Sequence, residues 1–388
     1  HPQGRAVAPL GRSDVLPHAR KEYLLRSLEL HGSVRSSVIA QDLGVSEVTI
    51  RRDIAELDQA RQVTKVHGGA LALRTASPRS ETHRTLIGLV VPSDVTHFPD
   101  VVRGMEAAAP GLRAQLVLGI SHYHADLERA RVDRLLQLGV RGLVIAPTTR
   151  DRSEDEVAHW VSSLPVPVVV LERQLTGAAR MNDHARTDHL HGVALAMEHL
   201  AALGHKSIGL GLFERTPTAR WIRTGWEADT ARLGLVPAPL VSLPKGDDDP
   251  LALRTVLRGL IQACLDQSTR AVLVHTDDHA AILVQVAHEM GLDVPKDLAV
   301  VAYDSQYAEL ADVPLTAVSA PARDLGREAL ALVMRRVNQG MGGRDGGQSA
   351  GQGEAIDDFT PRHVLLLPRL DVRQSCGALA DISQTGPA

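Results

Sequence analysis

Aromatic side chains are scarce, at 3% of 388 residues, so leucine, valine and alanine must pack the interior. Cysteine occurs twice, as Cys264 and Cys376, and two thiols so far apart support neither a disulfide framework nor zinc-ligand spacing. No apolar run approaches the roughly 18 residues of a membrane span. The first residues lack the apolar centre of a secretion signal. The chain therefore reads as soluble and cytoplasmic, with no membrane partner. Motifs for catalysis are missing too. The glycine-rich stretch Asn338–Gly353 has no Gly-Lys-Ser/Thr, and Gly209-Leu210-Gly211 lacks the third glycine of a dinucleotide fingerprint. No Gly-x-Ser-x-Gly elbow or placed Cys/His pair points to hydrolysis. His122 and His124, like His189 and His191, have no partner carboxylates at metal spacing. No cofactor, metal or enzymatic activity is expected on these grounds.

A strong net charge is also lacking, and −4 argues against a chain that binds nucleic acid along its whole length. The balance is uneven. Residues 1–75 hold eleven Lys/Arg and eight Asp/Glu (+3), the remainder 31 and 38 (−7). A mildly basic head on an acidic body suits contact with DNA at one end only. Within that head, Val45–Leu57 reads as a helix. Ser46 suits the N-cap, and Thr49 three residues on means no capping box. Val45 can pack on Ile50 as a hydrophobic staple. Ile50, Ile54 and Leu57 share one face. Val48, Thr49, Arg52, Ala55 and Glu56 share the other, with Arg51 on the flank. One side can bury, while the other offers a cation, a hydroxyl and small apolar groups near a helix start. A helix lying in a major groove needs that set: arginine for guanine edges or phosphate, threonine and valine for thymine methyls.

The flanks agree. Residues 19–30 read as a helix with Leu24, Leu25 and Leu28 inward, and 36–43 as a second helix stopped by Gly44. The tight Gly44-Val45 link then makes a helix-turn-helix. Residues 62–66 and 70–73 read as strands of a hairpin wing turning at His67-Gly68-Gly69, with Lys65 and His67 able to reach phosphates. The run Gly44-Val45-Ser46-Glu47-Val48-Thr49-Ile50-Arg51-Arg52-Asp53, followed by His67-Gly68-Gly69-Ala70, resembles the winged helix-turn-helix of DeoR-family regulators over residues 19–73. The resemblance implies DNA contact through Ser46, Val48, Thr49, Arg51, Arg52, Lys65 and His67.

Beyond a polar linker at 74–85, short apolar runs alternate with helical periods. Strands are expected at 86–91, 115–119, 142–146 and 167–171, then at 207–212, 240–243, 271–275 and 298–303, with helices between. Two successive α/β halves imply two doubly wound parallel sheets, with a ligand crevice beyond the strands' carboxyl ends. The expected layout is a tail at 1–18, the head at 19–73, and a two-lobed body at 86–374. The first lobe takes about 86–185 plus 318–337, and the second about 188–312 plus 360–374. A flexible loop at 338–354 and a tail at 375–388 complete it.

Ile87-Gly88-Leu89-Val90-Val91-Pro92, Val102-Arg103-Gly104-Met105-Glu106, Val140–Pro147, Gly204-His205-Lys206, Val294–Val301 and Leu366–Arg373 carry a second resemblance. They are similar to the effector-binding core of the lactose/galactose repressor family, itself similar to periplasmic sugar-binding proteins. That resemblance implies an effector site containing Asp304, Glu172, Arg173, Phe98, His97, Asp188 and Thr276. Where the family has an arginine three residues before the Gly-aromatic pair, here Gly225-Trp226, this chain has Ile222, so Arg220 or Arg223 is the candidate replacement. Thr276 departs from the family's frequent asparagine. Carboxylates that accept from hydroxyls, an arginine that donates and a ring that covers C–H surface together make a polyol site. The chain thus reads as an operator-binding repressor, dimeric by resemblance, controlled by a small sugar-like effector. The alternatives are a sugar-acting enzyme and a plain sugar-binding protein, each with an accessory helix-turn-helix.

Overall fold

The computed structural model describes residues 20–21, 23–25, 27–28, 33–60, 62–66, 68–72, 84–95, 97–175, 177, 181–245, 249–342 and 360–378. Two compact units divide between residues 82 and 83. The tail expected at 1–18, nearly all of the 74–85 linker and residues 343–354 of the expected loop lie outside the described residues.

In the first unit, helical residues within 20–28 precede β1 (Ser33–Arg35), α1 (Ser36–Asp42), α2 (Glu47–Gln59) and the antiparallel hairpin of β2 (Val63–Val66) and β3 (Gly69–Ala72). Gly44 takes φ +63° between α1 and α2, which a glycine adopts without strain. Ile50, Ile54 and Leu57 pack with Leu24, Leu28, Ile39, Val63 and Ala70, and Val45 leans on the same cluster. Asp53 is also buried, in a forked ion pair with Arg20 at 2.8 and 3.2 Å. β1 adds a third strand beside β3. Three residues are too few to show a period, so the sequence did not reveal it.

The second unit holds two six-stranded sheets. The first lobe contains β4 (Thr85–Val91), α3 (Phe98–Ala108), β5 (Ala114–Ile120), α4 (Ala125–Gln137), β6 (Gly142–Ile145), α5 (Glu154–Ser162), β7 (Val168–Leu171) and β8 (Asp183–Thr187). The second contains α6 (His189–Ala202), β9 (Gly209–Leu212), α7 (Ala219–Arg232), β10 (Leu240–Ser242), α8 (Pro250–Asp266), β11 (Ala271–His275), α9 (Asp277–Glu289), β12 (Ala299–Tyr303) and β13 (Thr316–Ser319). α10 (Ala322–Gly342) and β14 (His363–Leu366) return to the first lobe, and β15 (Arg369–Asp371) ends in the second. The chain therefore crosses between lobes three times, after β8, β13 and β14. Buried clusters lie on both faces of each sheet.

The first sheet is parallel throughout, in the order β14-β8-β7-β6-β4-β5. The second runs β10-β9-β11-β12-β13-β15 and is parallel except that β15 pairs antiparallel with β13. Several expectations need correction. The 360–374 segment does not all belong to the second lobe, because β14 extends the first sheet. β8 and β13 are strands that the alternation did not reveal. β8 reads Asp-His-Ala-Arg-Thr, with no apolar run; Asp183 is held instead by Arg335 at 3.0 Å and by the Arg362 N–H at 2.7 Å. Residues 338–342 continue α10 rather than starting a loop. Ser375 is no tail residue: its Oγ donates to Val300 O at 2.6 Å and accepts from Thr316 N at 2.8 Å. Gly104 and Gly326 let α3 and α10 touch, since a Cβ on either would meet a carbonyl oxygen of the other helix at 2.0 Å.

Candidate functional sites

On α2 the Ser46 hydroxyl accepts from Thr49 N at 3.1 Å, so it serves as the helix cap. Val48 is 74% exposed and the Arg52 side chain 83%. Arg51 pairs with Glu47 at 2.6 Å and Arg52 with Glu56 at 3.3 Å. Exposed pairs one turn apart are worth about 0.3–0.5 kcal/mol, so either guanidinium can exchange its glutamate for a phosphate or a base edge. Thr49 is half-buried beside the cap. The exposed Lys65 donates its backbone N–H to Asp58 at 2.9 Å, which ties the wing to the end of α2. His67 lies outside the described residues.

In the two-lobed unit the polar residues beyond the strand ends meet around Glu172. This side chain is 6% exposed and accepts from Thr187 N at 3.0 Å and Thr187 Oγ1 at 2.7 Å. His97 Nε2 stands 2.8 Å away, and His189 Nε2, from the other lobe, 3.9 Å. Burial opposes ionisation of Glu172, but the hydrogen bond and charge of His97, with lesser help from His189 and Thr187, hold its carboxyl well below the usual range. Burial likewise disfavours a charged His97, yet the Glu172 carboxylate raises its pKa overall. Asp304 lies at the end of β12, where burial and the charge of Asp277 push its pKa up to about 7. Burial takes His189 down to about 4. His97, Glu172 and Asp304 have φ of +53°, +51° and +78°. Left-handed backbone at non-glycine residues costs roughly 1–3 kcal/mol each and gathers at ligand-holding sites.

Arg173 is buried, its Nε donating to Pro147 O at 3.0 Å and its Nη1 to Glu172 O at 2.8 Å. A cavity of ≈ 220 Å³ lies between the lobes, lined by Glu172, Arg173 and Leu175 on one side and Glu214, Arg220 and Trp221 on the other. Several contacts also join the two lobes. Gln306 accepts from His97 N at 2.9 Å and donates to Val95 O at 2.8 Å. Arg220 pairs with Glu154. The guanidiniums of Arg186 and Arg220 stand 5.2 and 4.9 Å from the ring centre of Trp221. The crevice is therefore bridged, an arrangement that carboxylates, guanidiniums and an aromatic face can exploit against a polyhydroxylated ligand.

The structure thus brings together His97, Glu172, Arg173, Asp304 and Arg220 and leaves the other candidates aside. Phe98, expected to cover a ligand, is 5% exposed inside the first-lobe core, because it is the first residue of α3 and points into the sheet. Asp188 caps α6, accepting from His191 N at 3.1 Å. Arg223 pairs with Glu214. The Thr276 hydroxyl is engaged by Asp278 and His279. Ile222 is fully buried, so the arginine common there in relatives has no access in this chain; Arg220, two positions earlier on α7, reaches the cleft. Sequence reasoning missed Trp221, Thr187, His189 and Gln306. Only Trp221 carried a usable signal, one of three tryptophans beside a candidate arginine. It also missed a Cys/His contact: Cys376 Sγ sits 3.2 Å from His199 Nε2, buried in the second lobe.

A winged helix-turn-helix ahead of a two-lobed, twice-wound body is the class that this fold defines. Residues 20–76 match the DeoR-like helix-turn-helix domain, and residues 197–376 the periplasmic binding protein-like domain. Among curated relatives, the arabinose metabolism transcriptional repressor of Geobacillus stearothermophilus is 24% identical over 309 residues, covering 78% of this chain and 84% of that protein. Among solved structures, the lac repressor dimer bound to operator and the anti-inducer ONPF aligns with TM-score 0.60 at 22% identity, over 79% of this chain and 98% of that one. A LacI family transcriptional regulator from Enterococcus faecium with bound ribose aligns with TM-score 0.56 at 21% identity, over 75% and 98%. The chain joins a DeoR-like helix-turn-helix domain to a periplasmic binding protein-like domain, and the fold of its body is that of the lac repressor core.

Proposed function

We propose that this chain is a DNA-binding transcriptional regulator, a repressor, whose operator affinity is set by a small sugar or sugar derivative held between its lobes. The observation that carries the proposal is the buried cluster of His97, Glu172 and Asp304, whose Glu172 lines the crevice between the lobes, in a chain that also exposes Val48, Arg51 and Arg52 on one helix face. Residues from both lobes meet at the crevice, so a ligand there stabilises one lobe arrangement and shifts the fraction of protein competent for DNA only as far as it prefers that arrangement. One head reads few base pairs; two heads of a homodimer on half-sites about one helical turn apart supply the rest. Action on DNA supports a cytoplasmic location.

The site is a receptor's rather than an enzyme's. An ionised Glu172 near an Asp304 whose pKa lies near 7 has the split that acid–base pairs need. Glu172, however, is already engaged by Thr187 and His97 through both oxygens. Fluorescence anisotropy with a labelled operator, at two salt concentrations and across a panel of sugars, tests the proposal. Sequence-specific binding with a steep salt slope, altered by at least one sugar, is expected. Binding that no sugar changes, or turnover of a sugar at enzymatic rates, overturns it.

A further inference from the structure

A second cavity, of ≈ 280 Å³, lies against β8 and β14 at the edge of the first sheet. Its polar lining is Gln174, His184, Arg186 and His363, and its apolar lining includes Leu175 and Leu365. Among the described residues no carboxylate lines it. Two side chains that line it keep hydrogen-bonding capacity that the described residues do not fill. His184 is 3% exposed, and its Nδ1 lies 2.9 Å from Asn182 O, which fixes the proton on Nδ1. The other ring nitrogen, Nε2, then presents a lone pair, and among the described residues no donor meets it. Buried polar atoms almost always find a partner, so an orphan on a residue that lines a cavity calls for a ligand or water. Burial, with the neighbouring His363 second, pulls the His184 pKa down to about 4, so it stays a neutral acceptor. Arg186 is the second. One face of its guanidinium is covered by Trp221; burial lowers its pKa, the charges of Asp188 and Glu172 support its ionised form, and among the described residues it makes no side-chain hydrogen bond.

We propose that this groove is a second small-molecule site, distinct from the crevice, for a compact hydroxy- or amino-carboxylate. The carboxylate takes the fork of Arg186, which recognises planar anions through two parallel N–H groups. The hydroxyl or ammonium of the same ligand donates to His184 Nε2, and Leu175 and Leu365 cover its carbon chain. A neutral sugar satisfies the histidine but offers the guanidinium fork no carboxylate to hydrogen-bond. An inorganic anion does the reverse. The site is wired to the crevice: Gln174 and Leu175 line both cavities, and Arg186 touches Trp221 of the opposite lobe. A ligand that draws Arg186 away from Trp221 alters lobe closure, and by reciprocity the effector alters affinity in the groove.

The test uses the full chain labelled with ¹⁵N at histidine, titrated with glycerate and alanine, and with glycerol and inorganic phosphate as matched controls. Glycerate or alanine is expected to move the His184 Nε2 resonance saturably, and the two controls are not. Arg186→Gln weakens the response by about tenfold or more, as loss of a charge-assisted fork does. His184→Gln, read by calorimetry, loses affinity without loss of fold by circular dichroism. An absent response to both acids, or one that Arg186→Gln does not change, overturns the proposal. Because the readout involves no DNA and no sugar, its failure leaves the operator and crevice assignments standing, and their failure leaves this one standing.

Discussion

The exposed face of α2 and the crevice around Glu172 solve the problem of presenting polar groups in opposite ways. On α2 the functional side chains are neighbours in sequence and stand in water, and their partners are one turn away and weakly held. In the crevice they come from residues 97, 172, 187, 189, 220, 304 and 306 and are largely withdrawn from water. The first arrangement costs the fold little and leaves arginines ready to change partners. The second stores left-handed backbone and buried charge, which is tolerable only because each group props up another. The exposed face of α2 should therefore lose function without losing stability, and the Glu172 carboxylate in the crevice should lose both together.

Glu172→Ala is the most severe break. It strips Thr187 and His97 of their acceptor in a buried place, so the two-lobed unit should lose about 3 kcal/mol, read by chemical denaturation, along with its response to effector. A loss below about 1 kcal/mol would mean that the cluster is not the strut it resembles. Asp53→Ala makes the matching cut inside the head, where it removes the carboxylate from Arg20. It should cost the head about 2–3 kcal/mol, seen as faster hydrogen exchange confined to residues 20–72. Arg52→Ala, next in size, should weaken operator binding by roughly 10–100-fold, as for loss of a base-reading arginine, with the melting temperature of the head unchanged. An equal loss of stability would erase the contrast between the two regions.

Asp304 sharpens the comparison through pH. Its pKa rises on folding from an unfolded value near 3.9 to about 7. The folded state therefore binds more protons than the unfolded state between those values. Asp304 leaves stability unpenalised below about pH 4, erodes it as pH rises, and reaches its full cost above about pH 7. Asp304→Asn should accordingly raise the melting temperature at pH 8, gain little at pH 4, and remove the effector response at both. The smallest effect is expected from Phe98→Leu. It should lower stability by less than about 1.5 kcal/mol and leave effector affinity unchanged by calorimetry, since the ring lies in the core.

Much of the head was readable because a helix converts sequence spacing directly into faces. Ile50, Ile54 and Leu57 at i, i+4 and i+7 had to turn inward together, which put Val48 and Arg52 outside. The strand–helix alternation of the body was readable for the same reason, in its apolar runs. β8 was not, because an ion pair to Arg335 and Arg336 rather than an apolar pattern holds it. Thr187, its last residue, then escaped notice as the support of Glu172.

The sequence alone determined which residues could be helix faces, buried strands and caps, since those depend on the order of neighbouring side chains. Which of the distant polar residues would meet depended on three chain crossings between lobes and on the register of strands paired from far apart. His97 and Glu172 lie 75 positions apart in sequence and 2.8 Å apart in space. Phe98, beside His97, points the other way because it begins a helix packed on the sheet. No local pattern encodes that choice; the packing of the assembled lobe makes it.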